Sequence, residues 1–225
     1  MTAAPDRLLP SISVDDGVYA PQDDSFLLCA ELASNSALAG ARVLDMCTGS
    51  GIAAIEAARC GAREVFAYDI SELAVSCAAK NAEANGAPVS THVGTLTDAA
   101  SHGLFDVIVS NPPYVPSPHD PVGSGLHRAW DAGSHGRCVL DLLCTSAVHL
   151  LAPDGVVILV QSEFSGIEES ISRLRAGGVD AEVVRRRTIE FGPVMLARAA
   201  WLEATRRMEK GCRLEELVVI EGRRR

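Results

Sequence analysis

Short apolar runs alternate along the chain with longer segments whose apolar residues recur at helical spacing. Arg42–Met46 precedes a helical pattern over 52–60, Glu64–Tyr68 one over 71–85, Phe105–Val109 one over 136–150, and Val156–Val160 one over 165–176. Such alternation builds a parallel sheet with helices on both faces. Val89–Val93 reads as another strand, with no clear helix before Phe105, and a further strand is expected at about 180–189. Residues 194–209 carry an amphipathic pattern that places Met195, Leu196, Ala199, Leu202 and Met208 largely on one side. Glu215–Ile220 then reads as the last strand. The expectation is a doubly wound α/β fold with a seven-stranded, mostly parallel sheet, in one domain over 1–225. Residues 1–16 form a loose leader in this reading, and 194–209 an extra helix between the last two strands.

The strand ending at Asp45 runs into Met46-Cys47-Thr48-Gly49-Ser50-Gly51, with a helix from about Ile52. In a doubly wound sheet this is the first strand-to-helix crossing, where small residues let a ligand approach the backbone and the helix N-terminus. A glycine-rich turn alone is weak evidence, but Asp69 closes the next strand eighteen residues beyond Gly51. That matches the offset of about 20 residues at which an acidic side chain receives ribose hydroxyls. A carboxylate can accept two hydrogen bonds from a vicinal diol. The competing role for Asp69 is helix N-cap, which Ser71 can fill instead. A nicotinamide cofactor is disfavoured, because Ala54 stands where G-x-G-x-x-G requires its third glycine.

The strand Phe105–Ser110 ends in Asn111-Pro112-Pro113-Tyr114, at the sheet edge where ligands of this architecture bind. Two prolines fix the backbone and remove two N–H donors, so the Pro112 carbonyl and the Asn111 amide oxygen can both face a substrate as acceptors. Two fixed acceptors suit a planar NH2 group. With both protons held, its nitrogen is oriented for in-line attack on a sulfonium methyl, which makes transfer largely a matter of positioning. Tyr114 offers an aromatic face to a flat amide or base. The plain alternative is an Asn-Pro turn after a strand.

These two motifs together resemble the HemK-type methyltransferases, which N-methylate the glutamine amide in the Gly-Gly-Gln loop of translation release factors. The likeness spans roughly 17–222 and implies a Rossmann-like class I methyltransferase fold that uses S-adenosylmethionine and releases S-adenosylhomocysteine. Val18–Leu28, with Gln22-Asp23-Asp24-Ser25, resembles the leader of the short archaeal and eukaryotic-like branch, in which the hydroxyl residue aligned with Ser25 lies at the cofactor. Trp130–Arg137 resembles the segment that closes over the family's site, and brings Asp131 in as a candidate. The resemblance thus implies catalytic roles for Asn111, Pro112 and Tyr114. Cofactor contacts fall on Ser25, Asp45, Cys47, Thr48, Gly49, Gly51, Asp69, Ile70, Thr95 and Asn111. Substrate contacts fall on Asn111, Pro113, Tyr114 and Asp131. There are two departures: residues 194–209 exceed what the short branch carries, and Gly94-Thr95-Leu96 stands where the family has Gly-Asp-Leu, so Thr95 can hydrogen-bond but supplies no carboxylate, and Asp98 could replace it only by a shift of the loop. The short branch commonly works with a small zinc-binding activator subunit covering a strand edge, an implied partner alongside a release factor.

The Asn-Pro-Pro-Tyr motif fixes the chemistry better than the molecule, since a small-molecule amine or amide, or a base in RNA or DNA, also presents such an NH2. A noncatalytic, cofactor-binding subunit is the alternative from another class, and the intact Asn111 and Tyr114 weigh against it. Charge bears on this choice: 29 acidic residues against 20 basic give −9, which repels phosphate on average and lowers the case for nucleic acid. Arg185-Arg186-Arg187, Arg206-Arg207 and Arg223-Arg224-Arg225 form either a local patch or solvated faces. The seven cysteines form no C-x-x-C pair and read as reduced core thiols. No signal-peptide pattern or run of about 18 apolar residues is present, so a cytoplasmic location without membrane contact is expected. His119, His127 and His135 are spaced eight apart, which is no metal-ligand pattern on one helix, and no metal is expected. Glu163 either lines the cleft or caps the helix near Ser165.

Overall fold

Seven strands hydrogen-bond into one sheet in the computed structural model, which describes residues 8–119 and 125–225. They are β1 (Arg42–Met46), β2 (Glu64–Asp69), β3 (Val89–Val93), β4 (Phe105–Ser110), β5 (Leu151–Ser162), β6 (Val179–Glu190) and β7 (Leu214–Arg224), in the order β3-β2-β1-β4-β5-β7-β6. The first five run parallel, and β7 lies antiparallel between β5 and β6. This is the doubly wound, mostly parallel sheet that the alternation predicts. The helices are α1 (Asp23–Ser34), α2 (Ile52–Arg59), α3 (Glu72–Ala84), α4 (Leu96–Ala99), α5 (Cys138–Leu150), α6 (Ile167–Ala176) and α7 (Pro193–Ala204).

Successive strand residues point to opposite faces, so a strand covered on both sides reads as a continuous apolar run. On one face Val43, Val107 and Val109 pack with Leu28 and Leu32 of α1 and Ala54 and Ala57 of α2. On the other, Leu44 and Ile108 pack with Leu143 and Ala147 of α5 and Ile171 and Leu174 of α6.

Several elements differ from the pattern reading. The stretch after β3 is not helix-free: Thr95 and Asp98 form a reciprocal capping box that starts α4, followed by a 3-10 turn over Ala100–His102. The strands β5, β6 and β7 each extend beyond their apolar centres, because ladder bonds continue through polar residues once a neighbour is in register. The leader is not loose over its described part. The Ser11 amide donates to the side-chain oxygen of Asn85, the C-cap of α3, the Ser13 amide to that of Asn81 within the helix, and Lys80 pairs with Asp15 at 2.7 Å. Residues 1–7 of that leader lie outside the described residues.

The extra helix is α7, shorter than expected, with Pro193 in its first turn and Met208 in the turn beyond its end. Its apolar side covers the loop after β4 rather than the sheet. Met195, Ala199, Leu202 and Met208 pack with Val115, Phe191, Tyr114 and Trp130. Leu196, expected on that side, is 51% exposed.

The basic run on β6 is largely neutralised: Arg185 pairs with Glu31, Arg186 with Glu216 and Arg187 with Asp23. Arg225 pairs with Asp180, while Arg223 and Arg224 donate to the carbonyls of Asp154 and Leu151. All seven cysteines are free thiols, but only Cys29, Cys77 and Cys144 are buried, and Cys138 is exposed. Among the described residues no helix is long and apolar enough to cross a membrane, and no cluster of His, Cys, Asp and Glu could hold a metal ion.

Candidate active site

Strand order reverses between β1 and β4, which opens a crevice at their carboxyl ends. The Ser110 hydroxyl donates to the Met46 carbonyl at 2.6 Å, tying the last residue of β4 to the last residue of β1. The glycine-rich turn and the Asn-Pro-Pro-Tyr loop therefore leave the sheet side by side.

The turn is braced from below and from the side. Asp45 is 1% exposed, and one of its oxygens accepts from the Thr48 hydroxyl at 2.6 Å and from the Ala54 amide at 3.1 Å in the first turn of α2. Burial pushes its carboxyl up to about 7, against the two hydrogen bonds. Asp45 is thus a brace beneath the turn and not a side chain facing the crevice. Cys47 holds a left-handed φ of 62°, and burial raises its thiol pKa. Gly51 also has positive φ, and a β-carbon there would stand 3.0 Å from the Ala78 backbone, so only glycine lets α3 pack this close.

Asp69 accepts from the Gly49 amide at 3.0 Å through one oxygen and from the Ser71 amide at 2.9 Å through the other. Ser71 is the N-cap of α3, its hydroxyl accepting from the Ala74 amide, so Asp69 is released from that duty. Burial raises the Asp69 pKa, while the Ser71, Gly49 and Ile70 amides and the Arg128 charge oppose the shift. Ile70 beside it is 51% exposed. Thr95 is exposed with its hydroxyl donated to Asp98, and that carboxylate is held in the capping box.

Across the crevice, the Asn111 Nδ2 donates to the Ser25 hydroxyl of α1 at 3.1 Å. Among the described residues the Pro112 carbonyl accepts no hydrogen bond. The Tyr114 hydroxyl donates to Asp24 at 2.9 Å, and burial, with nearby Asp24 and Glu215, raises its pKa well above the phenol range. The segment Trp130–Arg137 is hydrogen-bonded to this loop. The Val115 amide donates to the Trp130 carbonyl at 2.8 Å, and the Ala132 amide to the Val115 carbonyl at 3.0 Å. Gly136 passes so close that a β-carbon would stand 2.3 Å from the Tyr114 carbonyl. Asp131 is spoken for: Arg198 of α7 donates to both its oxygens, at 2.9 and 3.1 Å. It fastens α7 over the loop. Glu163 does not cap α6, whose N-cap is Gly166; one of its carboxylate oxygens accepts from the Glu216 amide of β7.

Two carboxylates beside Tyr114 escape the sequence reading. Asp24 sits in the quoted leader, yet nothing local marks it apart from Asp23. Glu215 is 5% exposed, and among the described residues its Oε2 has no partner. Burial, helped by Asp24 and Glu163 and opposed by a Ser162 hydrogen bond, moves its carboxyl from an ordinary 4.5 to about 7. A raised folded pKa gives stability that is full below the unfolded value and lost as pH rises through the folded one. Between pH 5 and 8 the wild type is expected to lose on the order of 3 kcal/mol from this group at most. Asp45 acts in the same direction. The variant Glu215→Gln should flatten part of that decline in a melting-temperature series. Parallel curves for the two proteins would show that Glu215 does not titrate in this range.

A family model described as ribosomal protein L11 methyltransferase matches residues 25–112, less than half the chain. A protein of Methanocaldococcus jannaschii, provisionally named a protein N5-glutamine methyltransferase, is 34% identical over 183 residues, covering 81% of this chain and 91% of its own. Methyltransferase HEMK2 of Mus musculus is 34% identical over 174 residues, covering 72% of this chain and 79% of its own. Among solved structures, one chain of the E. cuniculi Mtq2-Trm112 complex, responsible for methylating the eRF1 termination factor, superposes with a TM-score of 0.62 at 22% identity. That match covers 93% of this chain and 99% of the other. SMU.776, a methyltransferase fold complexed with S-adenosylhomocysteine, reaches a TM-score of 0.62 at 17% identity over 98% of this chain and 57% of its own. The sheet order, the paired motifs at its switch point and relatives matched along most of their length agree: this chain belongs to the HemK-type class I methyltransferases, a family that uses S-adenosylmethionine.

Proposed function

We propose that the protein transfers the methyl group of S-adenosylmethionine to the side-chain amide nitrogen of a glutamine, in a protein such as a translation release factor. One observation carries this reading. Asn111 commits its NH2 side to Ser25, which turns its Oδ1 the other way, and among the described residues the Pro112 carbonyl that follows it accepts no hydrogen bond. Two acceptors on one short, proline-stiffened loop match the two N–H bonds of a primary amide. Holding both protons sets the plane of that amide, so its nitrogen lone pair faces one direction only.

The residues around the turn fit an adenosyl group. Asp69 keeps free lone pairs after accepting two backbone amides, which leaves room for a ribose diol. Gly49 is open on its side-chain face, and exposed Ile70 offers an apolar surface to a flat base. In this reading Cys47, Thr48 and Gly51 of the same turn, Thr95 after β3 and Ser25 of α1 complete the surroundings of the cofactor. When bound, the cofactor supplies a methyl on positively charged sulfur. The chain's own part is to orient the acceptor through Asn111, Pro112, Pro113 and Tyr114 and to keep water out beneath the cover of α7. A conjugated nitrogen gives up its proton readily once methylated, so no general base is required.

The names of the relatives support the acceptor class, and the Mtq2-Trm112 complex supports a small partner subunit as well. The edges of the sheet are β3 and β6. The test is transfer of labelled methyl to a purified release factor, with a Gly-Gly-Gln to Gly-Gly-Ala version alongside. Label on the first alone is the expected result. Label on neither, from enzyme that binds S-adenosylhomocysteine and is supplied with a small partner subunit, would reject the release-factor acceptor.

A further inference from the structure

The hydrogen bonds from α1 to the loop after β4 run in one sense. A serine hydroxyl has a single proton to give. In Ser25 that proton lies toward Asp24 Oδ1 at 3.1 Å, and the Ser25 backbone amide donates to the same oxygen at 2.6 Å. Asp24 Oδ1 accepts both, so Ser25 Oγ has only lone pairs left for Asn111, whose Nδ2 donates to it. An asparagine amide turned by 180° has almost the same shape, and a hydroxyl can either give or accept. Asn111 and Ser25 alone would therefore leave the amide free to face either way. Asp24 removes that freedom because it is an acceptor only.

Three donors converge on this carboxylate: the Ser25 amide, the Ser25 hydroxyl and the Tyr114 hydroxyl. Asp24 is 7% exposed, lies in the first turn of α1 where the helix N-terminus favours negative charge, and takes the Tyr114 hydroxyl on its second oxygen at 2.9 Å. Among the described residues no cation pairs with it, so these hydrogen bonds and the helix end must offset its burial. One carboxylate thus governs both polar side chains of the Asn-Pro-Pro-Tyr loop.

We infer that Asp24 is a positioning residue for methyl transfer: acting through the Ser25 hydroxyl, it fixes the Asn111 amide so that an oxygen, and not an NH2, faces the acceptor nitrogen. This rests on the reading that the acceptor presents an NH2 group. It also accounts for specificity, since an amide held this way round receives N–H donors and turns away an acceptor oxygen placed at the same point.

The decisive variant is Asp24→Asn. A neutral amide can donate to Ser25, which lets the hydroxyl turn its proton to Asn111 and reverses the chain. The expected result is a fall in kcat of about 100-fold, with the KM for S-adenosylmethionine and the S-adenosylhomocysteine-linked rise in melting temperature unchanged. The variant Ser25→Ala breaks the same relay, and the double variant Asp24→Asn/Ser25→Ala should be no worse than the poorer single one. Ser25→Thr, which keeps the hydroxyl, should recover most of the loss seen with alanine. A readout apart from turnover is the Asn111 side-chain NH2 resonance pair in 15N-labelled protein, identified by its absence in Asn111→Asp. It should be protected from exchange in the wild type and shift or lose protection in Asp24→Asn.

A kcat in Asp24→Asn within about threefold of wild type would overturn the inference, as would a double variant whose loss is the product of the single losses. An Asn111 resonance pair indifferent to Asp24→Asn would overturn it too, even for a protein that labels no release factor. Failure of the wild type to label Gly-Gly-Gln, with the resonance responding as expected, would instead strike at the acceptor assignment.

Discussion

Replacing Asn111 by alanine should reduce methyl transfer by about 100- to 1000-fold while the protein still binds S-adenosylhomocysteine and melts near its wild-type temperature. The side chain is half-buried and among the described residues reaches one partner, Ser25, so its removal takes away one modest hydrogen bond from the fold. What it removes from the reaction is larger. Without Oδ1 the acceptor amide keeps only the Pro112 carbonyl and can pivot about that bond, so its lone pair loses a set direction. The companion variant Asn111→Asp makes the argument sharper. It keeps an oxygen of the right reach, yet it sets a second carboxylate against a hydroxyl whose proton already goes to Asp24. Two acceptors then face each other across Ser25, and the new carboxylate should swing away or take up a proton. Both variants should therefore be slow in kcat with cofactor KM preserved. Normal turnover in Asn111→Ala would remove Asn111 from the chemistry, and the Asp24 relay with it.

The sheet was legible because its central parallel strands are covered on both faces, which writes runs such as Val107–Val109 and Val156–Val160 into the sequence as continuous apolar residues. The motifs at strand ends were legible for a related reason. Gly49 lies three residues past β1, Asp69 closes β2 and Asn111 directly follows β4, and a parallel sheet brings such ends to one edge whatever lies between. What the sequence hid depends on contacts made from far away. Helix α1 buries Asp24, Ser25 and Glu31 together with its leucines, and these polar residues blur its periodicity. Asp24 gains its meaning from Tyr114, ninety residues on, and Asp131 loses its freedom to Arg198, sixty-seven residues on. Glu215 reaches the crevice only because β7 runs antiparallel, which puts its first residues where the other strands end.

That same reversal explains why α7 sits where it does. A helix inserted between β6 and β7 leaves and rejoins the sheet at the crevice edge, so the nearest apolar surface it can cover is the loop after β4. Phe191 and Met208 anchor its two ends to Val115 and Tyr114, and the Arg198–Asp131 pair fixes its roll. The acceptor side of the crevice is thereby walled by this chain's own insertion.

Asp69→Ala should abolish the stabilisation that S-adenosylhomocysteine gives. A ligand present at 100 times its Kd adds about 2.7 kcal/mol, which for a chain of this size is a rise of roughly 5–10 °C in melting temperature. The aspartate contributes twice, through the lone pairs it offers to a diol and through the Gly49 and Ser71 amides it holds in place. Alanine loses both. Asp69→Asn separates them: it keeps one oxygen that can hold one of the two amides, so the unliganded protein should melt near wild type while the ligand-linked rise stays small. Acid should imitate the variant. Burial raises the Asp69 pKa, so the carboxyl takes up its proton earlier than an exposed aspartate as pH falls. A protonated carboxyl has one fewer acceptor position for the diol, and the ligand-linked rise should therefore shrink toward low pH in the wild type and stay flat in Asp69→Asn. A full rise in Asp69→Ala would mean that the glycine-rich turn binds the nucleoside without the carboxylate, and the ribose would have to be sought elsewhere along the crevice.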